Sequence, residues 1–277
     1  MKIEANGIQI NYELSGKEDA PLVVLSHSLG CSMVMWNPQL EVLEPHFRVL
    51  RYDMRGHGYS DATVGAYTLD QLAADVIGLL DALNIDIMHF IGLSIGGMIG
   101  QCLALNNADR LQSITLCDTA PIIPEEARPL FEERMNRARD EGMEALVEET
   151  LERWFTLPYL KQNPPEVELI RNQVLGTPLA GYIGCSEAIL GLNYLDRLSE
   201  IKLPTLIIVG EDDPGTPVEA SQAIHERIQN SKLVVLPSAA HLSNIEQAEA
   251  FNTNLIDFLT HHLTSPPGRP AHIPCNT

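Results

Sequence analysis

The chain of 277 residues is short of positive charge, with 18 Lys and Arg against 37 Asp and Glu and a net charge of −19. A nucleic-acid binder needs a basic footprint, and docking on anionic lipid needs basic clusters, so neither nucleic acid nor membrane is an expected partner. Screening confines charge effects to about 8 Å at physiological salt, so an anionic substrate would need its own local cation. Paired cysteines are lacking as well. Cys31, Cys102, Cys117, Cys185 and Cys275 are scattered, odd in number and contain no CxxC pair. That argues against a disulfide framework or a zinc site and for a reducing, cytoplasmic setting. Met1 to Gly7 carries no apolar signal segment, and no apolar run reaches about 18 residues, so no secretion and no spanning helix are expected. No internal repeat is visible.

What is present is alternation. Asn6-Gly7 is a hairpin turn signal, and Ile8, Ile10, Tyr12 and Leu14 after it alternate as a half-buried strand does. Leu22 to Ser26 is a continuous apolar run, the pattern of a strand covered on both faces. Further strands are predicted at Phe47 to Asp53, Ile87 to Ile91, Leu111 to Cys117, Leu206 to Val209 and Leu233 to Leu236. Helices are predicted from Leu69 to Leu83 behind a Thr68 cap, after Ser94, from Val218 to Ile228, and from Asn244 to Leu263. Strand–helix alternation of this kind implies a mostly parallel sheet with helices on both faces. Between Pro121 and Glu200 the chain turns charged, helical in period and poor in strands. The reading is a core over 1–120, a helical cap over 121–200, the rest of the core over 201–264, and a Pro-rich tail over 265–277 that cannot build a core.

Gly92-Leu93-Ser94-Ile95-Gly96 follows a predicted strand and opens a predicted helix. This Gly-x-Ser-x-Gly pattern in that context reads as a nucleophile elbow, with glycines where a tight turn leaves no room for a Cβ. The serine needs a base. His241 follows a strand and a short loop, whereas His225, His261, His262 and His272 fall on helices or in the tail; the base is read as His241. The acid that orients it could be Asp213, Asp212 or Asp118, each at a strand's carboxyl end. Two backbone donors should hold an oxyanion: the amide of Ile95 and, from the loop His27-Ser28-Leu29-Gly30, that of Leu29. His27 is expected to hold this loop by hydrogen bonds, and Arg55 and His57 to serve a structural ion pair and turn.

On these motifs, with Trp36, Asp53 to Ser60, Gly210 to Pro217 and His241 to Glu246, the chain resembles the α/β-hydrolases with a helical cap. More narrowly it resembles the 3-oxoadipate enol-lactonases, through Arg153-Trp154-Phe155-Thr156, Ile170-Arg171, Thr177-Pro178 and Gly181-Tyr182 in the cap. The family's Gly-x-x-Asp pattern lands on Asp213. The resemblance implies hydrolysis of 3-oxoadipate enol-lactone to 3-oxoadipate through an acyl-enzyme on Ser94, with no metal and no cofactor. Rival readings are another esterase, lactonase or carbon–carbon bond hydrolase, and a triad-bearing small-molecule receptor. A dehalogenase is disfavoured, because those enzymes carry Asp where this elbow has Ser94. The enol-lactone bears a carboxylate, and burying it alone would be prohibitive. Trp154 is expected in the pocket, and one of Arg134, Arg137, Arg153, Arg139, Lys161 or Arg171 is expected to grip the carboxylate. Adjacent helical residues point about 100° apart, so with Trp154 in the pocket Arg134 or Arg137 is favoured over Arg153.

Overall fold

The computed structural model describes residues 1–262. The predicted tail, residues 265–277 with His272 and Cys275, and the end of the last predicted helix at Leu263 lie outside the described residues. Eight strands form one sheet: β1 (Lys2–Ala5), β2 (Ile8–Gly16), β3 (Leu22–Ser26), β4 (Arg48–Tyr52), β5 (Met88–Leu93), β6 (Leu111–Cys117), β7 (Thr205–Gly210) and β8 (Ser231–Leu236). Their spatial order is β1-β2-β4-β3-β5-β6-β7-β8. The pairs β1–β2 and β2–β4 are antiparallel and the rest are parallel. Helices α1 (Asn37–Leu43), α2 (Leu69–Ala82), α3 (Ile95–Asn106), α9 (Val218–Arg227), α10 (Ser243–Glu246) and α11 (Ala248–His261) belong to this layer system. Between β6 and β7 run α4 (Arg128–Glu141), α5 (Val147–Trp154), α6 (Leu157–Gln162), α7 (Pro165–Gly176) and α8 (Leu179–Leu190). Among the described residues no helix is long and apolar enough to cross a membrane.

The apolar runs explain the layering. Every residue of β3, β5 and β7 is buried, because successive side chains leave opposite faces of a sheet covered on both. Val24 and Phe90 pack with Val76 of α2, Ile99 of α3 and Ile224 of α9. Val23, Leu25, Ile91 and Leu93 pack on the other face with Leu43 of α1 and Phe251 and Leu255 of α11. The helices between β6 and β7 extend both clusters, α8 through Cys185 and Ile189 and α5 and α7 through Leu151, Trp154 and Ile170. Thr68 caps α2 by accepting from the Gln71 amide at 3.1 Å. The single predicted last helix is two: Gln247, at φ −122° and ψ 48°, breaks it between α10 and α11. The short α10 carries Ser243 and Glu246, whose side chains are bonded within the site described next.

Candidate active site

The parallel strands all end on one edge, and the loops leaving that edge carry the polar residues. Ser94 directly follows β5 with φ 58° and ψ −118°, a left-handed conformation that a non-glycine residue adopts at a cost. The turn is possible because its flanks are bare. A Cβ on Gly92 would lie 2.1 Å from the Gly96 carbonyl oxygen, and one on Gly96 would lie 2.4 Å from that of Ser26. The Thr119 hydroxyl donates to the Ser94 carbonyl at 2.8 Å and ties the elbow to the loop after β6.

Asp213 and His241 leave β7 and β8, neighbours in the sheet. Asp213 Oδ2 lies 2.8 Å from His241 Nδ1. The sequence Asp213-Pro214-Gly215-Thr216 folds back on its own first side chain: Asp213 Oδ1 accepts from the amides of Gly215 and Thr216 at 2.8 and 3.0 Å, and Oδ2 from the Thr216 hydroxyl at 2.6 Å. Burial pushes the Asp213 carboxyl upward, but the His241 charge and the bonds from His241 and Thr216 more than offset it and hold it below the usual range. Thr216 was not singled out from the sequence, although an Asp-Pro-Gly-Thr turn is a signal for such capping.

Asp118 directly follows β6, with φ 43°. It accepts from the Gly210 amide at 2.8 Å and the Ser243 hydroxyl at 2.6 Å, fully buried and with no hydrogen bond to His241 among the described residues. Burial, then the Asp213 charge, push its carboxyl well above the usual range. Asp212 is exposed.

The loop Ser28–Gly30 is bolted by two histidines. His27 Nε2 accepts from the Met54 amide at 2.9 Å while Nδ1 lies 2.8 Å from the Ser28 carbonyl. His57 Nε2 accepts from the Gly30 amide at 3.0 Å. Burial lowers the pKa of both, that of His57 to about 3 with the adjacent His27 contributing, and in each ring the Nε2 that accepts an amide carries no proton. The part His57 plays on Gly30 had no sequence signal beyond its turn. Arg55 forms a buried pair with Asp75 at 2.6 Å. With the loop so held, the amides of Leu29 and Ile95 donate to no other protein group among the described residues. Ile95 is the first residue of α3, where an N–H has no intrahelical acceptor.

Ser94, His241, Leu29 and Trp154 line one cavity of about 440 Å³. Trp154 stacks on His241 with ring centroids 6.2 Å apart. The seam between α5 and the His241 loop is hydrogen-bonded. The Leu242 amide donates to the Trp154 carbonyl at 3.0 Å. Glu246 accepts from the Thr156 amide and hydroxyl and, at 3.0 Å, from the Ala240 amide.

Arg153 lines the cavity together with Trp154, contrary to the helical-spacing expectation. Thr150, one turn earlier on α5, lines the cavity as well, so the wall is the i, i+3, i+4 face of the helix, wide enough to take in both neighbours. Arg134 also lines the cavity but is ion-paired to Glu149 and bonds the Thr150 hydroxyl at 2.7 Å. Arg137 is not on the cavity wall; Glu149 and the Ala145 carbonyl hold it. Arg171 pairs with Glu148 and Glu168, and Arg139 bonds Asn136. Among the described residues Arg153 has no ion-paired or hydrogen-bonded partner. Burial, then the neighbouring Arg134, disfavour its charge. Among the described residues no group of acidic, His and Cys side chains is arranged to hold a metal.

The alpha/beta hydrolase fold family matches residues 21–248. The chain is 36% identical to 3-oxoadipate enol-lactonase 2 of Acinetobacter baylyi over 90% of this chain and 92% of that protein. The crystal structure of the enol-lactonase from Burkholderia xenovorans LB400 superposes with a TM-score of 0.91 at 40% identity, over 94% of this chain and 100% of that one. A malate-bound thermophilic esterase from Thermogutta terrifontis superposes with a TM-score of 0.89 at 30% identity, over 95% and 100%.

Proposed function

Since the chain belongs to the alpha/beta hydrolase family, we propose that it hydrolyses 3-oxoadipate enol-lactone to 3-oxoadipate through an acyl-enzyme on Ser94. The observation that carries the reading is the 2.8 Å contact of Asp213 with His241 beside an elbow serine in one cavity. Asp213 fixes the ring with Nδ1 protonated and leaves Nε2 as the base. Ser94 Oγ attacks the lactone carbonyl as His241 takes its proton. The Leu29 and Ile95 amides meet the oxyanion, preorganised and without competing acceptors. Collapse breaks the bond to the enol oxygen, to which His241 returns the proton. The ring is open but the acyl group stays on Ser94. Water, deprotonated by His241, then releases the acid, and the enol tautomerises to the ketone.

The lactone's carboxylate is carried on a methylene attached to the enol carbon, on the leaving-oxygen side and therefore on the side of His241. Arg153 suits it. A Cβ on Gly215 would sit 3.3 Å from an Arg153 nitrogen and 3.9 Å from His241 Nδ1, so all three share one corner. Arg134 is already neutralised by Glu149. The size of the cavity and the likeness to an esterase favour a second reading, hydrolysis of other carboxylic esters. Incubation with the enol-lactone, with loss of the lactone absorbance and identification of 3-oxoadipate, tests the first. Rapid turnover of simple esters without turnover of the lactone would replace it with the second.

A further inference from the structure

The carboxylate of Asp213 uses its two oxygens differently. Oδ1 is filled by the amides of Gly215 and Thr216. Oδ2 is shared by two side chains, His241 Nδ1 at 2.8 Å and the Thr216 hydroxyl at 2.6 Å. The Thr216 oxygen also stands 3.4 Å from His241 Nδ1, so carboxylate oxygen, hydroxyl and ring nitrogen form a closed triangle. An ionised carboxylate only accepts, so the single hydroxyl proton points at Oδ2. The triangle is dry and stiff. The Asp213 side chain is fully buried and Thr216 is buried too, which keeps bulk water from Oδ2. Pro214 and Pro217 each lock a φ in the turn.

Within such a triangle one bond acts on the other. A donor drawing on Oδ2 reduces the charge left for the ring proton, so the imidazolium formed when Ser94 is deprotonated gains less from Asp213. That matters for the second half of the step. The ring must pass its Nε2 proton to the leaving oxygen, and an over-stabilised imidazolium would keep it.

Resting on the hydrolase reading above, we propose that Thr216 is a positioning residue of the triad: its hydroxyl, bonded to the same carboxylate oxygen as His241, fixes the ring and leaves the imidazolium acidic enough to protonate the leaving oxygen. The Thr216 proton itself stays in place throughout. The charged or titratable groups around the pair are Asp118 after β6, Arg134 of α4, Arg153 of α5, Tyr182 of α8, Glu219 of α9 and Glu246 of α10. A substitution at Thr216 leaves all of them in place.

The test is the pH dependence of kcat/KM for p-nitrophenyl acetate, whose acid limb reports the base of the free enzyme. It is run on the native protein, Thr216→Val, Thr216→Ser and Ser94→Ala. Valine fills the space without the hydroxyl, and serine keeps the hydroxyl. Thr216→Val should move the acid-limb midpoint upward by roughly half a unit and lower kcat roughly tenfold, the size of one hydrogen bond. Thr216→Ser should keep the native midpoint. Thr216→Ala gives the same reading if the valine variant does not fold. An unmoved or lowered midpoint overturns the inference even if kcat falls, since Thr216 would then serve the fold alone. A shift that serine shares with valine also overturns it. Hydrolysis surviving in Ser94→Ala overturns the hydrolase reading and this inference with it. Turnover of the ester without the enol-lactone, with the shift present, removes the named substrate and supports the role of Thr216.

Discussion

At the sheet's carboxyl edge the carboxylates and histidines are anchored to backbone amides; in the cap the arginines are held mainly by carboxylates. Asp213 accepts two amides of its own turn, Asp118 the Gly210 amide, His27 the Met54 amide and His57 the Gly30 amide. In the cap, Glu149 holds both Arg134 and Arg137, and Glu148 holds Arg171. The difference is one of origin. A group fastened to backbone is placed by the topology itself, whereas a pair of long side chains depends on how two helices approach. Half-exposed pairs of that kind contribute little stability and can exchange partners. The edge is therefore suited to chemistry that tolerates no displacement, and the cap to deciding what enters.

Substitutions can break this division or sharpen it. Ser94→Ala should lower turnover by roughly 10⁵–10⁶, as removal of a triad nucleophile does in a comparable serine enzyme, with the circular dichroism spectrum unchanged. Ready hydrolysis by that variant would take the chemistry away from the edge. Asp213→Asn should cost about 10⁴ in kcat, the size of the comparable change in a serine protease. Asp118→Asn should cost less than about tenfold, since an amide can still accept from one of its two donors while donating to the other. The reverse order would assign the acid to β6.

In the cap the expected effects are smaller and fall on KM. Arg153→Gln should raise KM for the anionic lactone by roughly 10–100-fold, the ~1.5–3 kcal/mol of a hydrogen bond to a charged group. The effect on a neutral ester should be much less, and Arg137→Gln should change either by less than about threefold. Equal effects on both substrates would mean that no cap cation reads the carboxylate.

The smallest effect is on stability. His57 has a folded pKa of about 3, against about 6.5 in an unfolded chain. Between those values the unfolded chain binds a proton that the folded protein refuses. Stability is thus full above pH 6.5 and falls as the pH drops towards 3. His57→Asn should flatten that slope, narrowing the Tm difference between pH 7 and pH 4.5 by about 3–5 °C. An unaltered slope would mean that His57 takes up its proton without loosening the Ser28–Gly30 loop.

The same contrast explains what could be read without coordinates. Ser94, Asp213 and His241 each stand one to a few residues beyond an apolar run, and such runs are visible in one dimension. So was the alternation behind the sheet. The strand β1 was not, being four residues paired at the sheet's edge, and the break at Gln247 was hidden because it arises from contacts that Ser243 and Glu246 make far along the chain. The cap cation was the hardest. Arg134 and Glu149 are fifteen residues apart on different helices, and only their meeting removes Arg134 from consideration and leaves Arg153 unpaired. Helical spacing pointed the other way, because it took neighbours 100° apart as exclusive, whereas the face formed by Thr150, Arg153 and Trp154 holds both.

The seam at Glu246 has a mechanical consequence. Thr156 and Trp154 of the cap are bonded to Glu246 and Leu242, and Glu246 is bonded in turn to Ala240, next to the histidine. Swinging the cap away at this seam would pull on the segment that aims His241. The seam thus ties the cap to the loop that carries His241, while the cavity wall at Pro217 and Glu219 is exposed to solvent.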